Sequence, residues 1–230
     1  MTGFLCEPSI PVTLPHDWRT GKHSPSSRVY RFEWIIAQPP EELWALFLPR
    51  VSMQADVFLN GHLLGRGGSI AGPLTLNWNL PLYFTLPTAL LHPGKNEIAV
   101  DVTAEPGNMG LLREIYLGPH DRLVQDYRIR HWLNVTVPQW IAVFMLTSAL
   151  FMGALWFLRR EESIYGWYAL GFTIWFLIHL NLVIGNEFLS RQVWDAIWNV
   201  GYGYVAVCTA HVALRFLGER APAAERLMRV

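Results

Sequence analysis

Hydrophobic and polar positions follow two regimes along this chain. Before about residue 120 they alternate in short runs; after about residue 135 they merge into long apolar blocks. Tyr30, Phe32 and Trp34 alternate with Arg31 and Glu33, the period-two pattern of a half-buried strand. Residues 43–48 are continuously apolar and bounded by charge and Pro49, as suits a strand covered on both faces. Residues 56–59 run into Asn60-Gly61, a hairpin signal because both residues tolerate positive φ. Leu63 and Leu64 return. Gly65, Gly67, Gly68 and Gly72 mark a loop. Residues 80–86 and 87–91 follow, then a Pro93-Gly94-Lys95-Asn96 turn. Ile98, Val100 and Val102 alternate with Glu97 and Asp101, and residues 112–117 are expected as the last strand. Short strands separated by turn signals predict an all-β sandwich or jelly roll, with no helix of ordinary length before residue 130.

The apolar blocks cover residues 140–158, 164–185 and 196–214, and none contains Asp, Glu, Lys or Arg. Each is about 20 residues, enough at roughly 1.5 Å per residue to cross a hydrocarbon core. Three in succession are expected as transmembrane helices. Arg159 and Arg160 separate the first two blocks, and Arg215, Arg220, Arg226 and Arg229 follow the third, whereas Arg191 stands alone between the second and third. Positive charge collects on the cytoplasmic side, which puts the C-terminus inside and the first 135 or so residues outside. Trp132, Trp140, Trp156, Tyr165, Trp167, Trp194 and Trp198 cluster near the block ends, as aromatic rings at headgroup level would.

Domain boundaries follow. Residues 1–28 are an extended lead-in, 29–120 an outer β-sandwich sensor domain and 121–139 a juxtamembrane connector; the three spans come next, and 215–230 is a cytoplasmic segment. Residues 1–9 hold no apolar run of the length a signal peptide needs, so the start is expected to be truncated, the other reading being insertion directed by the first span. Net charge is +0, which argues against nucleic acid as a partner. Cys6 lies in the outer segment and Cys208 in the third span, so no internal disulfide is expected.

Two sets of motifs carry a resemblance. Leu14-Pro15-His16-Asp17-Trp18, Val57-Phe58-Leu59-Asn60-Gly61 and Gly94-Lys95-Asn96-Glu97-Ile98-Ala99-Val100 resemble the sugar-binding jelly roll that opens glycoside hydrolase family 2 enzymes. Over nearly the whole chain the pattern is similar to bacterial seven-transmembrane receptors with diverse intracellular signalling modules. It rests on residues 56–61, 78–87, 90–96 and 117–119, followed at once by membrane spans. That resemblance implies a galactose-binding-like jelly roll in the periplasm, then an α-helical transmembrane bundle in the inner membrane. It also implies a cytoplasmic output, a histidine kinase first and a diguanylate cyclase second, acting as a homodimer. With three spans and no output domain, the chain would be an N-terminal fragment. A membrane-anchored carbohydrate-binding protein is the alternative.

Candidate chemistry is sparse. His16-Asp17 falls in a segment that is structural in the glycosidase-like pattern. Glu41-Glu42 and Glu161-Glu162 are adjacent pairs rather than carboxylates set roughly 5–10 Å apart across a cleft. His120-Asp121 follows a Gly-Pro turn on the outer side, away from any nucleotide. No phosphate loop, metal-ligand spacing or nucleophile elbow is present, so no cofactor, metal or catalytic residue is expected. A carbohydrate or other small ligand would find ring stacking and planar polar groups at Asn77, Trp78, Asn79 and Tyr83; the competing reading packs Trp78 and Tyr83 into the core or the domain–membrane junction. Inside the spans, His179, Asn181, Asn199 and His211 are polar and expected to face other helices. Ala149/Gly153 and Ala206/Ala210 have the spacing of close helix contacts.

Overall fold

A computed structural model of the protein describes residues 10–21, 26–68, 79–104, 107, 109–183 and 191–217. These fall into two compact units that divide between His131 and Trp132.

The first unit is β-rich. Its strands are β1 (His16–Arg19), β2 (Ser26–Ile36), β3 (Trp44–Leu48), β4 (Val51–Ser52), β5 (Gln54–Leu59), β6 (His62–Gly67), β7 (Leu82–Leu86), β8 (Gly94–Ala104), β9 (Met109–Leu112) and β10 (Tyr116–Pro119). They form three antiparallel sheets, ordered β1-β9-β4, β10-β3-β7 and β2-β8-β5-β6. A helix, α1 (His120–His131), closes the unit.

Alternation builds the core. On β8, Asn96, Ile98, Val100, Val102 and Ala104 are buried and the residues between them are half-buried. Tyr30 on β2, Val57 and Leu59 on β5, Leu46 and Leu48 on β3, Leu82 and Leu86 on β7, Trp18 on β1 and Leu112 on β9 join them in one hydrophobic cluster. All three sheets therefore share one core, and burying it is the main favourable term of the fold. Trp18 needs room: a Cβ on Gly110, its partner across β1 and β9, would collide with the indole.

The turn between β5 and β6 has the geometry its sequence demands. Asn60 (φ 49°) and Gly61 (φ 82°) are both left-handed, as a two-residue hairpin turn requires. A β-bulge interrupts the β5–β6 register at Val57/Phe58.

Four elements differ from expectation. Gly65 and Gly67, read from the sequence as part of a loop, lie on strand β6, where they pair with Val57 and Ala55. β1 and the start of β2 lie inside residues 1–28, which the sequence reads only as an extended lead-in. The expected strand at 112–117 is two strands, β9 and β10, in different sheets. An ordinary helix, α1, starts at His120, before residue 130, where none was expected.

The second unit opens with a π-helical turn (Trp132–Thr136) and contains α2 (Val137–Leu158), α3 (Ser163–Val183) and α4 (Arg191–Phe216). α2 packs on α3 and α3 on α4. Ala142, Met145 and Ala149 are buried on α2. Trp167 and Ile178 on α3 and Cys208 and Val212 on α4 are buried as well. The helical run through α2 and the N-terminal part of α3 are long and apolar enough to cross a membrane. α4 is a helix of 26 residues but is less apolar than α2 and α3. Asn199, Gly201, Tyr202, Gly203, Tyr204, Thr209 and His211 dilute its hydrophobicity.

Candidate functional site

β7 places Leu82 and Leu86 in the core and turns Tyr83 to the other face. Register then lines up an aromatic row. Tyr116 on β10 lies opposite Phe47 on β3, and Phe47 opposite Tyr83. Ring centroids along the row are 5.9 Å and 6.5 Å apart. α1 lies on this row. Tyr127 sits 4.9 Å from Tyr83 and edge-on to Phe47 at 6.1 Å, and His131 follows Tyr127 at 5.6 Å. His120, Val124, Tyr127 and His131 come to one helix face at i, i+3 and i+4 spacing, so the stripe of α1 sets one aliphatic residue among a tyrosine and two histidines.

The Tyr83 hydroxyl is 2.9 Å from His120 Nδ1 and 3.4 Å from the His120 carbonyl oxygen. The His120 N–H donates to the Leu43 carbonyl at 2.8 Å. Burial and the nearby Asp121 carboxylate push the Tyr83 hydroxyl above its ordinary pKa. His120, of the His120-Asp121 pair, thus serves as the N-terminal anchor of α1.

Of the four residues expected to bind a ligand, Asn77 and Trp78 lie outside the described residues. Asn79 is half-buried in a turn before β7. Tyr83 has one ring face against Tyr127, so a sugar ring stacking there would have to displace α1.

A second aromatic–histidine constellation lies around Trp18. His16 Nδ1 is 2.7 Å from the Tyr30 hydroxyl. Trp18 Nε1 donates to Ser26 Oγ at 3.1 Å, and the Arg28 guanidinium sits 5.1 Å from the indole centroid. Burial drives the Tyr30 hydroxyl up to about 12, with Arg28 opposing and Asp17 adding. His16 Nδ1, the Tyr30 hydroxyl and Trp18 Nε1 are each paired, which suits a structural joint between β1 and β2.

In the helical unit, His211 stacks on Trp167 with centroids 4.4 Å apart and planes 15° from parallel. Its Nδ1 is 2.9 Å from the Val207 carbonyl, so that nitrogen carries a hydrogen. His179 lies half-buried on α3, its Nδ1 enclosed and without a partner among the described residues. Asn199 is exposed on α4. Asn181 is on α3, its side chain outside what is described. Ala149 is buried, and a Cβ on Gly153 would lie 4.0 Å from Ala169 Cβ, so that small pair does face α3. Ala206 and Ala210 are exposed; α4 meets α3 instead through Gly201, Cys208, His211 and Val212.

No protein-family model matches the chain, and no curated protein is significantly similar to it. Among solved structures, the beta-glucuronidase of Bifidobacterium dentium is 29% identical over 33% of this chain and 11% of its own, with a TM-score of 0.26. An FMN-binding beta-glucuronidase from Facaelibacterium prausnitzii is 22% identical over 46% of this chain and 18% of its own, with a TM-score of 0.36. A glycosyl hydrolase family 2 member from Bacteroides cellulosilyticus is 16% identical over 47% and 17%, at 0.32. The chain spans less than a fifth of these enzymes' length. Likenesses this partial establish neither a shared fold nor a shared activity.

Proposed function

We propose that this chain is the input part of a bacterial membrane signal receptor. Its β-rich unit is a jelly-roll sandwich outside the cytoplasm, sensing a carbohydrate, another small ligand or a partner protein. Its helices form an inner-membrane bundle of three spans with the C-terminus inside. The signal passes to a cytoplasmic output beyond this chain, a histidine kinase in the first reading and a diguanylate cyclase in the second.

One observation carries the membrane part. Only 17% and 22% of the most apolar 18-residue stretches of α2 and α3 are buried within the structure. Trp140 is 69% exposed, Phe144 63%, and Phe151, Phe157 and Leu158 are comparably bare. A soluble helical unit would bury such residues; a bilayer covers them instead. The Arg160 guanidinium lies 4.3 Å from the Trp156 centroid at the end of α2, the aromatic–cation arrangement of a headgroup layer. The sandwich reading is supported by three antiparallel sheets sharing one core.

Signal relay would start at α1. It is the element of the β-rich unit that leads into the helices in sequence, and the Tyr83 row holds it to the sheet. A ligand that favours α1 docked over α1 released would bias a two-state arrangement of the bundle.

Thiol labelling of the full chain in a bacterial inner membrane tests the topology. In a Cys6→Ser, Cys208→Ala background, Ser27→Cys is expected to react with an impermeant maleimide from outside, and Arg159→Cys only after permeabilisation. A chain that is soluble without detergent, or Arg159→Cys reacting from outside, overturns the reading. Sequencing the locus past Val230 tests the output. Further spans and a kinase or cyclase domain support the receptor; an immediate stop favours an anchored binding protein.

A further inference from the structure

The sheet β2-β8-β5-β6 has two edges that are treated differently. β6 is short, carries Gly65 and Gly67, and pairs through a bulge, devices that discourage further strand addition. β2 runs 11 residues in unbroken register with β8 and has no proline. No other described strand pairs with its outer edge. Its outer face shows Val29, 47% exposed, and Ile35, 81% exposed, with Arg31 and Glu33 between them.

We propose that β2 is a self-association strand and that its occupant is β2 of a second copy. The copies pair antiparallel about a two-fold axis at Phe32, joining two four-stranded sheets into one of eight strands. The outer-face order apolar, positive, negative, apolar is its own complement when reversed. In this register Arg31 faces Glu33 of the second copy and Val29 faces its Ile35, each twice by symmetry. Directly opposed side chains on paired strands lie roughly 4.5–5.5 Å apart at Cβ, close enough for both contacts.

The neighbouring registers fail. A slip of one residue turns the outer set against the inner set. The next allowed slips centre the axis on Arg31 or on Glu33, and each sets a charge against its own copy. Arg31 and Glu33 thus penalise misaligned strands while accepting one partner, so specificity arises from a cost on wrong pairings as well as from a gain on the right one. Glu33 also bonds Lys95 within its own sheet at 2.7 Å. Arg31 has no carboxylate partner among the described residues, and the second copy supplies one.

Charge reversal on the full chain in detergent micelles tests the pairing by sedimentation equilibrium. The unaltered chain is expected to dimerise. Arg31→Glu should weaken the dimer by about tenfold or more, and Arg31→Glu with Glu33→Arg should restore it. Circular dichroism, unchanged for these exposed positions, separates lost pairing from lost fold. A disulfide measurement stands independently, in a Cys6→Ser, Cys208→Ala background. Differently tagged Arg31→Cys and Glu33→Cys chains should form the mixed disulfide. Arg31→Cys should not bridge to itself, because those Cα atoms would sit roughly 8 Å apart, beyond disulfide reach. A monomeric chain, a dimer indifferent to Arg31→Glu, or a preferred Arg31→Cys self-disulfide overturns the proposal.

Discussion

The side-chain amide of Asn60 donates to the Asn96 carboxamide oxygen across 2.9 Å, joining the β5–β6 turn to the start of β8, 36 residues away in sequence. The same nitrogen also donates to the Leu90 carbonyl at 2.7 Å, and Asn60 Oδ1 accepts the Glu97 N–H at 2.8 Å. Asn96, only 1% exposed, accepts the His92 N–H at 3.0 Å and donates to the His92 carbonyl at 2.8 Å. Two amides thus pin the β5–β6 hairpin to the turn before β8. Both fall in the motifs that carry the resemblance to a sugar-binding domain, and here both hold the scaffold together.

Asn60→Gly keeps a residue at ease with φ 49° and removes the clasp, so it isolates the hydrogen bonds. The loss should be about 2 kcal/mol, since the buried Asn96 oxygen and Glu97 N–H lose a partner. Asn60→Ala adds the cost of a left-handed alanine, roughly 1 kcal/mol more. Chemical denaturation of the full chain, followed by a probe in the β-rich unit, measures both. Equal stability of Asn60→Gly and the unaltered chain would remove the clasp from the account.

The aromatic row makes a different prediction. Tyr83→Phe deletes the hydroxyl 2.9 Å from His120 Nδ1 and should weaken α1 docking by about 1 kcal/mol. Tyr127→Ala removes the ring that touches both Tyr83 and Phe47 and should weaken it by more. Hydrogen exchange is the measurement: amides of His120–His131 should lose protection while those of β8 keep theirs. A uniform loss across both elements would mean that α1 is not a separable lid on the sheet.

Much of this scaffold is written locally. Asn60-Gly61 announces its turn because two adjacent residues must take φ > 0, and β8 announces itself by strict alternation. The long apolar blocks declare helices by length alone. What stays hidden depends on partners distant in sequence. α1 has only scattered apolar positions and three arginines, and it is held by Tyr83 and Phe47, which are far away along the chain. β1 is four residues long and owes its place to Trp18 entering the core above Gly110. Tyr83 looks like a ligand platform because a lone exposed aromatic and a helix-docking aromatic have the same local sequence.

Asp56 and Asp101 lie directly opposite each other on β5 and β8. Arg66 reaches Asp56 at 3.5 Å, whereas Asp101 Oδ1 is enclosed without a partner among the described residues. Burial and the Asp56 charge hold the Asp101 carboxyl above its ordinary pKa. Burial also raises Asp56, with Arg66 opposing. The folded state therefore keeps a proton that the unfolded state gives up. Stability is full below the ordinary carboxylate value and falls as pH rises through the raised one. Asp101→Asn should remove the Asp101 share of that fall and leave the share of Asp56. It should exceed the unaltered chain by about 0.5 kcal/mol at neutral pH and match it below roughly pH 4, read from melts across pH. A gain that persists in acid would have another cause.

Two glycines on α4, two positions apart, separate packing from helix propensity. A Cβ on Gly201 would sit 2.8 Å from Ile178 Cδ1 and 3.4 Å from Ile174 Cγ2 on α3, while one on Gly203 meets nothing within 4 Å. Ile178 is 2% exposed and has little room to move away. Gly201→Leu should therefore part α3 from α4 and lower the thermal stability of the chain in micelles by about 2 kcal/mol. Gly203→Leu should leave it unchanged or raise it slightly, because glycine is the poorer helix former by up to roughly 1 kcal/mol. Ile178→Ala in the same chain as Gly201→Leu opens space for the introduced side chain, so the double variant should recover part of the loss. If both leucines cost the same, or Ile178→Ala gives no relief, the close approach at Gly201 is not what holds these two helices together.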